Sequence, residues 1–286
     1  MRLPTAPLHT PVLSSHKMHY VNLPDGVSGG FGRIRVSLVN GQSVATEMQH
    51  RAPVRVVCSK PTGPCAWFQT TSFGGGLVQG DQIKLHVQVD DGAAAFVSTP
   101  GHQRAYRGHT EALVEAHVGP DALLVFLPEP ISCFENATHR QRALVHLAPG
   151  ASVVWVDAWT SGRYGTGERF AFGELDMRTE LHQGQDMLAV EALNVRPDRL
   201  PPGSFGPFQA FGALLAVGPR VPGRLALDLG PEPSTPESVC SAFAHGPVRV
   251  VRAAGKTADA LMERLRSFVS PWPESLLGPD PLRRHG

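Results

Sequence analysis

The sequence predicts a mainly β protein of stacked, coiling or sandwich-like architecture. Three observations predict it. Roughly a dozen strand-like runs precede residue 195, about ten to fifteen residues apart and bounded by turn residues. That rhythm leaves no room for the helices a βαβ chain places between its strands. Glycine (30) and proline (26) together make up a fifth of the 286 residues and are dispersed, so turns are many.

Residues 1–30 contain Pro, His and Ser with little period and read as a flexible arm. His9, His16 and His19 fall in it; solvated histidines or a metal-catching tail both fit them. From Arg33 the period is two: Ile34, Val36 and Leu38 share one face. Pro53–Cys58 is a second strand, followed by the turn Lys60-Pro61-Thr62-Gly63-Pro64. The runs Ala66–Thr70 and Ile83–Val89 flank a glycine stretch, and Asp90-Asp91-Gly92 then reads as a hairpin turn into Ala93–Ser98. Glu111–Val118 alternates, Ala122–Leu127 is a buried run, and Arg142–Leu147 and Ser152–Trp159 are further strands. Ala171-Phe172, Leu175–His182 and Met187–Leu193 add three candidates. Residues 196–210 read as a long connection, and Ala210–Val217, Arg224–Leu229 and Val248–Arg252 as late strands. One helix is convincing: Thr257 caps it, and Ala258, Leu261, Met262, Leu265, Phe268 and Val269 recur at threes and fours before Pro271 stops it. Residues 271–286 read as a mobile tail, leaving one domain over 1–286. No sequence repeat fixes a coil period.

Composition narrows the function. A formal net charge of +1 gives no basic surplus for nucleic acid or an anionic membrane. No run approaches the ~18 apolar residues of a membrane span, and prolines at 4 and 7 interrupt any signal-peptide core, so the chain reads as cytoplasmic. Cys58, Cys65, Cys133 and Cys240 lack metal spacing and read as reduced thiols.

The stretch Thr71–Gln82 holds Gly74, Gly75, Gly76 and Gly80 and ends in Asp81. It is not a dinucleotide loop: the third glycine falls one residue late, and a strand follows where a helix is needed. It reads as a specified turn. Two other segments concentrate polar groups. Pro100–Gly108 carries His102, Arg104, Tyr106 and Arg107. Trp159–Phe170 carries Gly162, Arg163, Gly167 and Glu168, where a carboxylate–guanidinium pair would pin an irregular loop. No hydrolase elbow, zinc-protease helix or calcium loop occurs. Motif spacing alone leaves a β-rich enzyme, such as a carbohydrate-active hydrolase, and a β-rich binding module both open.

Four motifs in register resemble one family, the urease accessory protein UreD (also called UreH). They are Gly75-Gly76-Leu77-Val78-Gln79-Gly80-Asp81, Arg104-Ala105-Tyr106-Arg107, Leu127-Pro128-Glu129-Pro130 with Phe134, and Gly162-Arg163-Tyr164-Gly165-Thr166-Gly167-Glu168-Arg169-Phe170. The chain departs from the family at Arg104, usually Lys, and at Thr71-Ser72-Phe73, so the resemblance is to a divergent member. It implies a non-enzymatic β-helical scaffold with a few helices near the C-terminus. It further implies binding to apo-urease and to UreF, which recruits the GTPase UreG. Nickel would be in transit and not tightly held, with GTP and bicarbonate used by the wider complex. A polar interior tunnel is the implied route. Glu168, Asp81, His102 and Glu47 are of a type that lines such a path, with Glu168 first and Arg163 beside it. Pairing of Glu168 with Arg163 or Arg169 stands as the structural alternative.

Overall fold

The computed structural model describes residues 29–59, 63–201, 203–226 and 234–270. The tail, nearly all of the arm, the first three residues of the Lys60–Pro64 turn and the end of the Arg224–Leu229 run lie outside them. The strands are β1 (Gly30–Val39), β2 (Gln42–Arg51), β3 (Val54–Cys58), β4 (Ala66–Ser72), β5 (Gln82–Val89), β6 (Ala94–Ser98), β7 (Gln103–Ala105), β8 (Gly108–Val118) and β9 (Leu123–Phe126). They continue as β10 (Ile131–Cys133), β11 (Ala137–Leu147), β12 (Ser152–Thr160), β13 (Glu174–Gln183), β14 (Asp186–Val195), β15 (Ala210–Val217), β16 (Ser238–His245) and β17 (Val248–Gly255). The helix α1 spans Ala258–Val269. Among the described residues no helix is long and apolar enough to cross a membrane.

Two mixed sheets face each other. The first runs β14-β13-β11-β8-β5-β1-β2 and the second β16-β17-β15-β12-β9-β6-β4-β3. The chain alternates between them, so their central strands are parallel. Ala94 pairs with Leu123 and Leu123 with Ser152, a step of 29 residues each time. Ile83 pairs with Ala112 at the same step. A narrow third face closes the central coils: Leu77 bridges Ala105, and Ala105 pairs with Cys133, a step of 28 residues. The fold is therefore a β-coil with a period invisible as sequence identity. Asp90-Asp91-Gly92, expected to close a hairpin, is a corner that carries the chain from β5 into the opposite sheet at β6.

Burial explains the strand patterns. The first sheet has one dry face and one wet face, so β13 alternates strictly. All nine residues of β12 are buried, because Val153 and Trp155 face the first sheet while Val154, Val156 and Ala158 pack under α1. The helix is capped as expected: Thr257 accepts a hydrogen bond from the Ala260 N–H at 3.1 Å. Leu261, Met262, Leu265 and Phe268 seal the outer face of the second sheet. Arg266 also pairs with Glu129 of the Leu127–Pro130 motif. Ala171-Phe172 is not a strand, and a 3-10 turn, Gly223–Ala226, replaces the start of the late run expected there.

Candidate functional site

The glycine stretch forms the first rung of the third face. Leu77 donates its N–H to the Arg104 carbonyl and accepts from the Tyr106 N–H, both at 2.8 Å. Gly76 is a close-approach glycine: a Cβ there would lie 2.5 Å from the Tyr106 ring. Tyr106 stands edge-on to Phe134, with centroids 5.0 Å apart. Asp81 closes the turn by accepting the Val78 N–H at 2.8 Å. Gly75 and Gly80 take positive φ, and Arg107 is exposed.

Glu168 is occupied as a clamp. One carboxylate oxygen accepts the Glu135 N–H at 3.0 Å; the other accepts from Arg163 Nε at 2.9 Å. Arg163 lies over the Phe134 ring, 4.6 Å from its centroid. Gly162 and Gly167, both at positive φ, turn the loop around this pair. Arg169 instead donates to the carbonyls of Gly206 and Phe208. Glu47 lies on β2, paired with Arg33 at 3.4 Å and bonded by Gln49. Of the four acid and imidazole residues expected along an interior path, His102 lines an inter-sheet cavity, which Gly75 and Arg104 also line. Asp81, Glu168 and Glu47 are not among that cavity's lining residues.

That cavity has a volume of about 330 Å³ and lies between the sheets, reaching inward past Leu85 and Val114 to Phe126 and Gln141. A second cavity of about 200 Å³ lies beyond, lined by Asp157, Met177, Glu191 and Arg252. A hydrogen bond links a lining residue of each: Gln141 Nε2 donates to Asp157 Oδ1 at 3.2 Å. Asp157 is buried and also accepts from Trp155 Nε1 at 3.2 Å and from Thr179 Oγ1 at 2.6 Å. Burial, aided by the nearby Glu191 charge, pushes its carboxyl up to about 6 against the pull of these donors. Glu191 forms a two-point ion pair with Arg252, at 3.1 and 2.8 Å, joining the sheets.

His139 lies further round the interior. Its Nδ1 pairs with Thr110 Oγ1 at 2.8 Å, its Nε2 has no partner, and burial lowers it to about 4. Neither Asp157 nor His139 was nominated from the sequence. The available signal was a carboxylate inside the uninterrupted apolar run Val153–Trp159, since a buried polar residue is the informative exception. The four cysteines are free; burial raises Cys65 and Cys133 to about 12, so both are inert thiols.

Coil, sealed outer sheet and polar seam define a β scaffold organised around its interior. The chain belongs to the UreD urease accessory protein family, whose model matches residues 28–285. It is similar to the urease accessory protein UreD of Anaeromyxobacter sp. (strain Fw109-5), 34% identical over 270 residues, 91% of this chain and 90% of the relative. The UreD of Sorangium cellulosum (strain So ce56) is 34% identical over 262 residues, 89% of this chain and 84% of the relative. Urease accessory protein D of Oryza sativa subsp. indica is 36% identical over 149 residues, 49% of each chain. The role is therefore in urease maturation with the urease machinery, and it is not catalytic.

Proposed function

We propose that this chain is the scaffold on which urease receives nickel, with apo-urease on one side and UreF, carrying UreG, on the other. The ion passes between the two sheets. The observation that carries this reading is Asp157, a buried carboxylate that lines the cavity of about 200 Å³ and is hydrogen-bonded to Gln141, which lines the cavity of about 330 Å³. Transit needs contacts that are several and weak, because a tight site would retain the ion. With its carboxyl near 6, Asp157 is ionised at neutral pH, yet its charge is shared among Gln141, Trp155 and Thr179. One carboxylate so divided offers a passing cation a weak contact without forming a chelate. GTP and bicarbonate act elsewhere in the complex, and no tightly held cofactor, membrane or nucleic acid is invoked. The compartment is the cytoplasm.

The test is reconstitution: apo-urease, the UreF and UreG homologues, nickel, GTP and bicarbonate, with and without this chain. Co-purification with UreF and chain-dependent activation are expected. Activation that proceeds without the chain would sink the proposal. So would an Asp157→Asn protein that assembles and transfers nickel at the parent rate.

A further inference from the structure

The wet face of the first sheet carries a row of histidines that the interior route does not use. Parallel register places His117 of β8, His146 of β11 and His182 of β13 side by side. Their rings stack, with centroids 4.7 Å apart for His117–His146 and 5.7 Å for His146–His182. Two residues down the strand, Glu115 shares the side of His117. Its Oε1 lies 3.4 Å from His117 Nε2, while Oε2 is held by Lys84 and His86, each at 3.5 Å. One ligand atom from each of Glu115, His117 and His146 lies within 4.8 Å of the others.

We propose that Glu115, His117 and His146 form a surface site for a divalent transition-metal ion. Two imidazoles and one carboxylate suit Ni²⁺, Zn²⁺, Co²⁺ or Cu²⁺ and disfavour Mg²⁺ and Ca²⁺, which take oxygen cages. Metal–ligand bonds of about 2.1 Å need donors roughly 3.3 Å apart in a tetrahedral arrangement, so the side chains close by an ångström or so on binding. They are free to do so: His117 is exposed, with 47% of its side chain accessible, and Glu115 and His146 are half-buried. His182 is held separately, its Nε2 at 2.9 Å from Glu180. The remaining coordination positions open to solvent, which makes the site an exchanging one. The proposal does not rest on the inter-sheet route.

Equilibrium titration of the full chain with NiCl₂ and with CoCl₂ tests it, using calorimetry and the visible spectrum of bound Co²⁺. His9, His16 and His19 are replaced by Ala in every sample, so the N-terminal histidines cannot mask the result. His117→Ala and His146→Ala should each weaken one site per chain at least tenfold, and His146→Ala should change the Co²⁺ spectrum. His109→Ala, on an exposed histidine outside the row, should do neither. Unchanged stoichiometry and affinity in the His117→Ala/His146→Ala double variant would overturn the assignment. Equal losses in His109→Ala would overturn it too.

Discussion

Replacing Asp157 by asparagine should make the protein more stable at neutral pH while slowing nickel transfer. The carboxyl titrates near 6 in the fold, against an ordinary 3.8. Between those values the folded chain holds a proton that the unfolded chain has released. Stability from this group therefore falls as pH rises through the window, and the loss is complete above about pH 6. At about 1.4 kcal/mol per pKa unit, the ionised carboxylate costs the fold roughly 3 kcal/mol at pH 7. Asparagine does not titrate. Its oxygen still accepts from Gln141 and Trp155, and its amide faces Thr179 Oγ1, which then accepts. Weaker neutral hydrogen bonds offset part of the gain, leaving about 1–2 kcal/mol in favour of the variant. Urea unfolding followed by tryptophan fluorescence measures it, with Trp155 as a reporter beside the site. The advantage of the variant should be full at pH 7 and reverse below pH ~4, where the protonated parent is the more stable by about 1–2 kcal/mol. A variant less stable than the parent at pH 7, or a gap that ignores pH, would refute the reasoning.

His139 gives a slope of opposite sign: its folded value of about 4 lies below the ordinary 6.5, so stability is lost as pH falls from 6.5 toward 4. The Asp157→Asn protein should therefore lose stability more steeply than the parent on acidification from about pH 6 to 4, by about 1.4 kcal/mol per pH unit, read from the same urea series. Gly76→Val drives a side chain into the Tyr106 ring; it should cost about 1–3 kcal/mol or abolish folding, with no separate defect in nickel transfer by any soluble fraction. Leu265→Ala opens a cavity under α1 and should cost about 2–5 kcal/mol in urea unfolding, with m unchanged. Glu168→Gln, which loosens the clamp on Arg163, should lower the melting temperature; urease activation per soluble molecule should stay at the parent level, and a selective loss of transfer would show that Glu168 contacts the ion.

Much of this fold is legible because half of it is wet. Strands such as β13 alternate, and the helical period of α1 shows directly which side it buries. The coil period is hidden because parallel neighbours need matching burial, not matching residues: Ile83 sits beside Ala112, and His109 beside Thr138. Edge strands β2 and β16 are not among the strands expected from the sequence, since an edge with a polar face lacks a clean apolar alternation. The candidate site was less legible. Family motifs drew attention to Glu168 and Asp81, whose carboxylates are spent on a clamp and a turn. Asp157 looked like one more alternating strand residue, because its partners, Gln141 and Thr179, come from two other coils.

From β4 to β12 a step of 28 or 29 residues per coil makes the chain a ruler. Each added coil lengthens the stack by one strand spacing, about 4.8 Å, without altering its cross-section. The interior seam crosses the strands, from β5 through β8 and β11 toward β14. The separation of the two ends is thus written in whole coils. Deleting one complete coil would bring the faces nearer by a fixed increment, whereas deleting half a coil would shift every downstream strand to the opposite sheet.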